Sequence, residues 1–159
     1  MKISRILVPT DFSGPSRDAT DYALTLARTF GASVSLLHVI EDPIVAIPAL
    51  VGYAPEPATL EEFSATALDN WVTPEDAHGV EINRHWEHGH PVPRILHYVD
   101  KHDCDLIVMG THGRGPVAHA LIGSVAEKVV RKAKCPVLTV RPTTQTEQVF
   151  DPSTAAVEA

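Results

Sequence analysis

Residues 105–127 read DLIVMGTHGRGPVAHALIGSVAE. The stretch opens on a continuously apolar run, passes through a glycine-rich turn and ends where a helical spacing begins. Apolarity without alternation marks a strand buried on both faces, as parallel strands are. Four of the nine glycines, Gly110, Gly113, Gly115 and Gly123, fall here. Either something presses on the backbone, or the chain turns in ways a side chain forbids. A strand that leaves through glycine and enters a helix at Gly123-Ser124 is the strand–loop–helix unit of an α/β domain.

Further runs of the same kind lie outward from it: Ile6–Pro9 (ILVP), Val34–Ile40 (VSLLHVI) and Val137–Val140 (VLTV), alongside Asp105–Met109. Val80–Glu87 (VEINRHWE) alternates more, as an edge strand does. Helical spacing fills the intervals. Ala19, Tyr22, Ala23, Leu26, Ala27 and Phe30 mark a first helix, with Ser13 or Asp11 as cap, Pro15 in the first turn and Gly31 as the stop. Leu60, Phe63, Ala67, Leu68 and Trp71 mark a second, ending near Pro74. Val92, Ile95, Leu96 and Val99 mark a third, opened by Pro91. Val125, Val129, Val130 and Ala133 mark a fourth, opened by Ser124. Alternating strands and helices predict a doubly wound α/β domain, a parallel sheet with helices on both faces. One domain over residues 1–142 is expected, followed by a polar tail, 143–159. Residues 43–57, PIVAIPALVGYAPEP, read as a long loop, functional or simply packed.

The composition is that of an ordinary globular chain: 159 residues, 44% hydrophobic, 21% charged. The formal net charge of -7 argues against nucleic acid or anionic membrane as a partner. The start, MKISRILVPTDFS, lacks the pattern of a secretory signal, and no run approaches the roughly 20 apolar residues of a membrane span. A cytoplasmic protein is expected by elimination. Cys104 and Cys135 abut apolar runs and read as small buried residues rather than a disulfide framework.

In open α/β sheets ligands sit beyond the carboxyl ends of strands, where strand order reverses. The first strand ends in Pro9-Thr10-Asp11 and the glycine-rich one in Met109-Gly110. If the two are neighbours, both face one crevice. Ser124 starts a helix whose free N–H groups and positive dipole end attract anions. A phosphate chain between the turn after Gly110 and Ser124 fits that arrangement. Glycine and serine also serve strand exits and helix starts for structural reasons alone. No GxxxxGK[ST] or GxGxxG occurs, which argues against a Walker-type NTPase and a dinucleotide fold.

Taken together, ILVPTDFS, LLHVI, EHGHPVPRIL and DLIVMGTHGRG…LIGSVAEKVVRKAKCPVLTVR resemble the universal stress protein family over residues 2–141. The spacing from Gly110 through Gly113 to Gly123 and Ser124 resembles the signature of that family's ATP-binding branch. The resemblance implies an adenine-nucleotide alpha-hydrolase-like sheet of five parallel strands in the order 3-2-1-4-5. It implies ATP or another adenine nucleotide, with magnesium, as ligand. Pro9, Thr10 and Val39 would line the adenine. Asp11 would bond the adenosine part or help hold the metal. Met109 and Gly110 would contact base and ribose. Gly113, Gly123, Ser124 and Val125 would hold ribose and phosphates, with His112 and Arg114 nearby. The resemblance also implies a homodimer paired through the last strand, Val137, Leu138, Thr139 and Val140. The function it implies is a nucleotide-regulated switch of the stress response, read by a protein partner not identified.

Rival readings remain. Phosphoryl transfer needs a positioned base and charge stabilisation. Asp11, His112, Arg114 and His119 do not commit the site to chemistry, so at most slow ATP hydrolysis is expected. A non-nucleotide interaction module of the same fold is the other alternative. The histidine-rich stretch holding His85, His88, His90, His97, His102 and Cys104 lacks zinc-motif spacing and reads as surface histidine. Trp71 and Trp86 read as core or interface residues.

Overall fold

In a computed structural model, residues 2–41, 57–111 and 122–141 are described. The stretch 43–56, the tail 143–159, and His112, Gly113 and Arg114 lie outside them. The elements run β1 (Arg5–Pro9), α1 (Gly14–Phe30), β2 (Ser33–Ile40), α2 (Pro57–Trp71), α3 (Pro74–Ala77), β3 (Ile82–His88), α4 (Pro91–His102), β4 (Leu106–Gly110), α5 (Ser124–Lys132) and β5 (Val137–Val140). The five strands form one parallel sheet in the order β3-β2-β1-β4-β5. That is the doubly wound fold expected. The strand order reverses between β1 and β4, which pair at Ile6 with Leu106 and Leu7 with Ile107.

Strand side chains alternate between faces. Ile6, Val8, Leu36, Leu106 and Val108 pack under α1 and α2 with Ala19, Ala23, Ala27 and Leu68. Leu7, Leu37, Ile107 and Met109 pack under α4 and α5 with Ile95, Tyr98, Val99 and Val129. Both faces are therefore apolar, which is why these strands read as unbroken runs. Burying each large apolar side chain stabilises the fold by about 1.5–3 kcal/mol.

Helix α1 starts as its residues dictate. Ser13 is the cap, its hydroxyl accepting from the Ser16 amide, Pro15 lies in the first turn, and Gly31 stops the helix at φ 67°. Its buried stripe differs from the apolar spacing: Thr20 and Leu24 are buried, whereas Tyr22 and Phe30 are half exposed. The Thr20 hydroxyl is satisfied, donating to the Ser16 carbonyl and accepting from the Trp71 indole. Trp71 thus packs onto the core under α1.

Helix α3 is an element that the apolar spacing did not predict. Thr73 and Asp76 form a reciprocal capping box, and Pro74 sits in its first turn. The Val80 amide then donates to the Ala77 carbonyl, so the chain is still turning at Val80. This is why β3 begins at Ile82 rather than Val80.

Candidate functional site

Beyond the carboxyl ends of β1, β2 and β4 lies a cavity of about 570 Å³. Pro9, Thr10, Asp11, Val39, Met109, Gly110, Gly123, Ser124 and Val125 all line it. The fold brings together every expected site residue that lies among the described residues. His112, Gly113 and Arg114 lie outside them.

One end of the cavity is a helix start. The Glu127 amide donates to the Gly123 carbonyl at 2.9 Å, forming the first turn of α5. Ser124, Val125 and Ala126 have no earlier helical carbonyl to donate to. Gly123 is the cap and offers no side chain to replace one. With no side-chain cap among the described residues, the α5 N-terminus points its first amides and a positive dipole end at the cavity, the combination that attracts anions.

The other two helix starts nearby differ. At α1, the Asp11 Oδ1 accepts from the Ser13 and Ser16 hydroxyls at 2.5 Å each and from the Ser13 amide at 3.1 Å. That end already carries its own carboxylate. At α4, residues 91–93 read Pro-Val-Pro, so two of the three first-turn positions have no N–H, and the Arg94 amide is bonded to the His90 carbonyl. Of the three, α5 is the anion end.

Two glycines have structural work as well. A Cβ on Gly110 would lie 2.8 Å from the Pro15 carbonyl oxygen, so β4 ends against the first turn of α1. What presses on Gly110 is the chain itself. The Gly123 amide donates to the Thr111 carbonyl at 2.5 Å, which ties the start of α5 to the end of β4. Its N–H is thereby engaged.

The cavity wall also includes residues that the sequence did not mark as site residues: Leu60, Phe63 and Ser64 of α2, His38 of β2, and Pro91 and Ile95 of α4. His38 Nδ1 donates to the Thr10 carbonyl at 2.8 Å, which places a ring proton on Nδ1. The His38 ring packs against Phe12, 4.4 Å between centroids, and Phe12 holds φ 62°, a conformation costly for a bulky side chain. Phe12 also meets Phe63 and Trp71 edge-on. Phe63 falls at helical core spacing yet is 61% exposed at the cavity, a distinction that spacing alone does not carry.

Among the described residues no three His, Cys, Asp or Glu side chains gather as a metal site, and no helix is long and apolar enough to cross a membrane.

Comparison with known proteins agrees with this geometry. A sequence signature of the universal stress protein family matches residues 2–141. Universal stress protein MJ0531 of Methanocaldococcus jannaschii is 36% identical over 138 residues, spanning 86% of this chain and 81% of its own length. The solved structure of MJ0577 superposes with a TM-score of 0.77 at 27% identity, covering 91% of this chain and 100% of that one. A universal stress protein solved in complex with cAMP superposes with a TM-score of 0.64 at 25% identity, covering 90% of this chain and 100% of that one. The chain belongs to the universal stress protein family.

Proposed function

We propose that this chain binds an adenine nucleotide, ATP with magnesium, as a regulatory ligand of the stress response. The observation that carries the reading is the α5 N-terminus, which has no side-chain cap among the described residues, at one end of a mostly apolar crevice at the strand-order reversal. The cAMP complex of a structurally similar family member supports the ligand class. Ser124 and Val125 offer backbone N–H groups to the phosphates, and the Ser124 hydroxyl adds a donor. Pro9, Thr10, Val39 and Met109 bound the base. Gly110 and Gly123 border the ribose and phosphates, and His112, Gly113 and Arg114 complete the phosphate side. Because Asp11 Oδ1 already serves the α1 cap, magnesium enters with the phosphates rather than on a protein cluster.

The bound nucleotide biases a conformational or oligomeric equilibrium that a protein partner reads. Residues 1–142 act as one domain, and two copies pair through β5. Hydrolysis, where it occurs, is slow.

A second reading, an interaction module without nucleotide, draws on Gly110, whose lack of a side chain is explained by a contact within the chain. Calorimetric titration of the nucleotide-stripped protein with ATP and magnesium separates the two. Ser124→Asp sharpens the test, because a carboxylate in the first turn of α5 favours the helix while repelling phosphate. The nucleotide reading expects binding in the parent protein and its loss in a variant that is folded and no less stable. Absence of binding in the folded parent supports the module.

A further inference from the structure

We propose that His85 and His102 together form a site for one transition-metal dication of the zinc type, separate from the nucleotide crevice. Along the sequence these histidines lack the spacing of a zinc motif. The fold makes a pair across two elements instead. His85 lies mid-strand on β3 and faces α4, and His102 is the last residue of that helix. Their ring centroids are 5.8 Å apart with planes inclined at 36°. Imidazole–zinc bonds of about 2.0–2.1 Å leave two ring centroids about 5–6 Å apart around a single ion.

The rings are held in place by one buried residue. Tyr98 is 2% exposed. It stacks on His102 with centroids 4.1 Å apart and touches the His85 ring at 5.2 Å. Fixing both imidazoles beforehand removes part of the ordering cost of coordination. Burial, and after it the nearby His102, lowers the His85 pKa from the ordinary value of 6.5. That direction favours the neutral imidazole, the form that coordinates. The charged groups facing it are Glu87, which is held by Arg94 with 3.7 Å between charged atoms, and Lys101. Among the described residues there is no third protein ligand, so water completes the coordination. Imidazole donors favour zinc, nickel and copper over magnesium and calcium. A bound ion joins the edge strand to the last turn of α4.

The test is titration of the full, metal-stripped chain with zinc sulfate, without nucleotide, followed by the NMR signals of the histidine rings. Up to one equivalent, the His85 and His102 signals move together and ahead of the other histidines. His85→Gln and His102→Gln each weaken zinc binding by about tenfold or more, and His97→Gln leaves it unchanged. Zinc reaching other histidines first, or unaltered affinity in a folded His102→Gln variant, overturns the site. Magnesium at the same concentrations leaves both rings in place; an equal response to magnesium would also overturn it. If His85→Gln fails to fold, the parent spectra and His102→Gln decide the question.

Discussion

A methyl group on Gly110 would lie 2.8 Å from the carbonyl oxygen of Pro15. The end of β4 and the first turn of α1 are in backbone contact just below the crevice, beside the β1–β4 pair where the strand order reverses. Gly110→Ala must push these backbones apart. We expect a loss of about 1–3 kcal/mol, typical of overpacking, without nucleotide present. Urea denaturation of the stripped protein measures it. Unchanged stability would mean that only a ligand needs the glycine.

Arg84 of β3 holds the end of α2, on the same face of the sheet as α1. Its guanidinium donates to the Leu68 carbonyl at 3.1 Å and the Val72 carbonyl at 2.7 Å, caring for the C-terminal end of α2. Arg84→Ala leaves those carbonyls without their charged donor and costs about 1.5–3 kcal/mol. Its ion pair with Asp69, at 3.8 Å with Asp69 largely exposed, adds little. Asp69→Asn should therefore change the urea midpoint far less than Arg84→Ala; equal effects would place the stabilisation in the ion pair.

His85 gives stability a pH dependence whose sign follows from its surroundings. Burial and His102 lower its pKa in the fold below the ordinary 6.5. The unfolded chain then binds the proton more readily, so stability falls as pH drops below about 6.5 toward the folded value. Above that window the contribution is constant. Urea unfolding at pH 7.5 and pH 5.5, with chelator, should show a smaller acid loss in His85→Gln than in the parent. An equal loss would assign the dependence to other groups.

Among the described residues β5 is an outermost strand of the sheet with an open edge, and Leu138 on it is 39% exposed. The proposed dimer covers that edge. Leu138→Lys places a charge there, a common device against strand-to-strand pairing. Light scattering should report a dimer for the parent chain and a monomer for the variant. A monomeric parent would remove β5 pairing from the account.

The sequence was most readable where one physical cause acts alone. The unbroken apolarity of residues 106–109 announced a strand covered on both faces. Ser13, Pro15 and Gly31 delimited α1 because each suits one backbone position. Helix α3 went unnoticed because it has only four residues and no apolar period, although Thr73-Pro74-Glu75-Asp76 spells its cap. Within the site, residues on the strand ends were legible from the rule about order reversal. Phe63 and Leu60 were not, since helical spacing looks the same for a residue over the core and one beside a cavity. Gly110 was singled out as a place where something presses on the backbone, but its pressing neighbour, Pro15, is 95 positions away in the chain and became visible only in the fold.

The central claim is that α5 offers its first amides to phosphate. The most direct measurement is the backbone NMR shift of Ser124 and Val125 on adding ATP with magnesium, compared with adenosine. The account predicts that both ligands move Thr10 and Val39, while only ATP moves Ser124 and Val125. Binding of ATP that leaves the Ser124 and Val125 amides unmoved, or no binding in the folded protein, would contradict it.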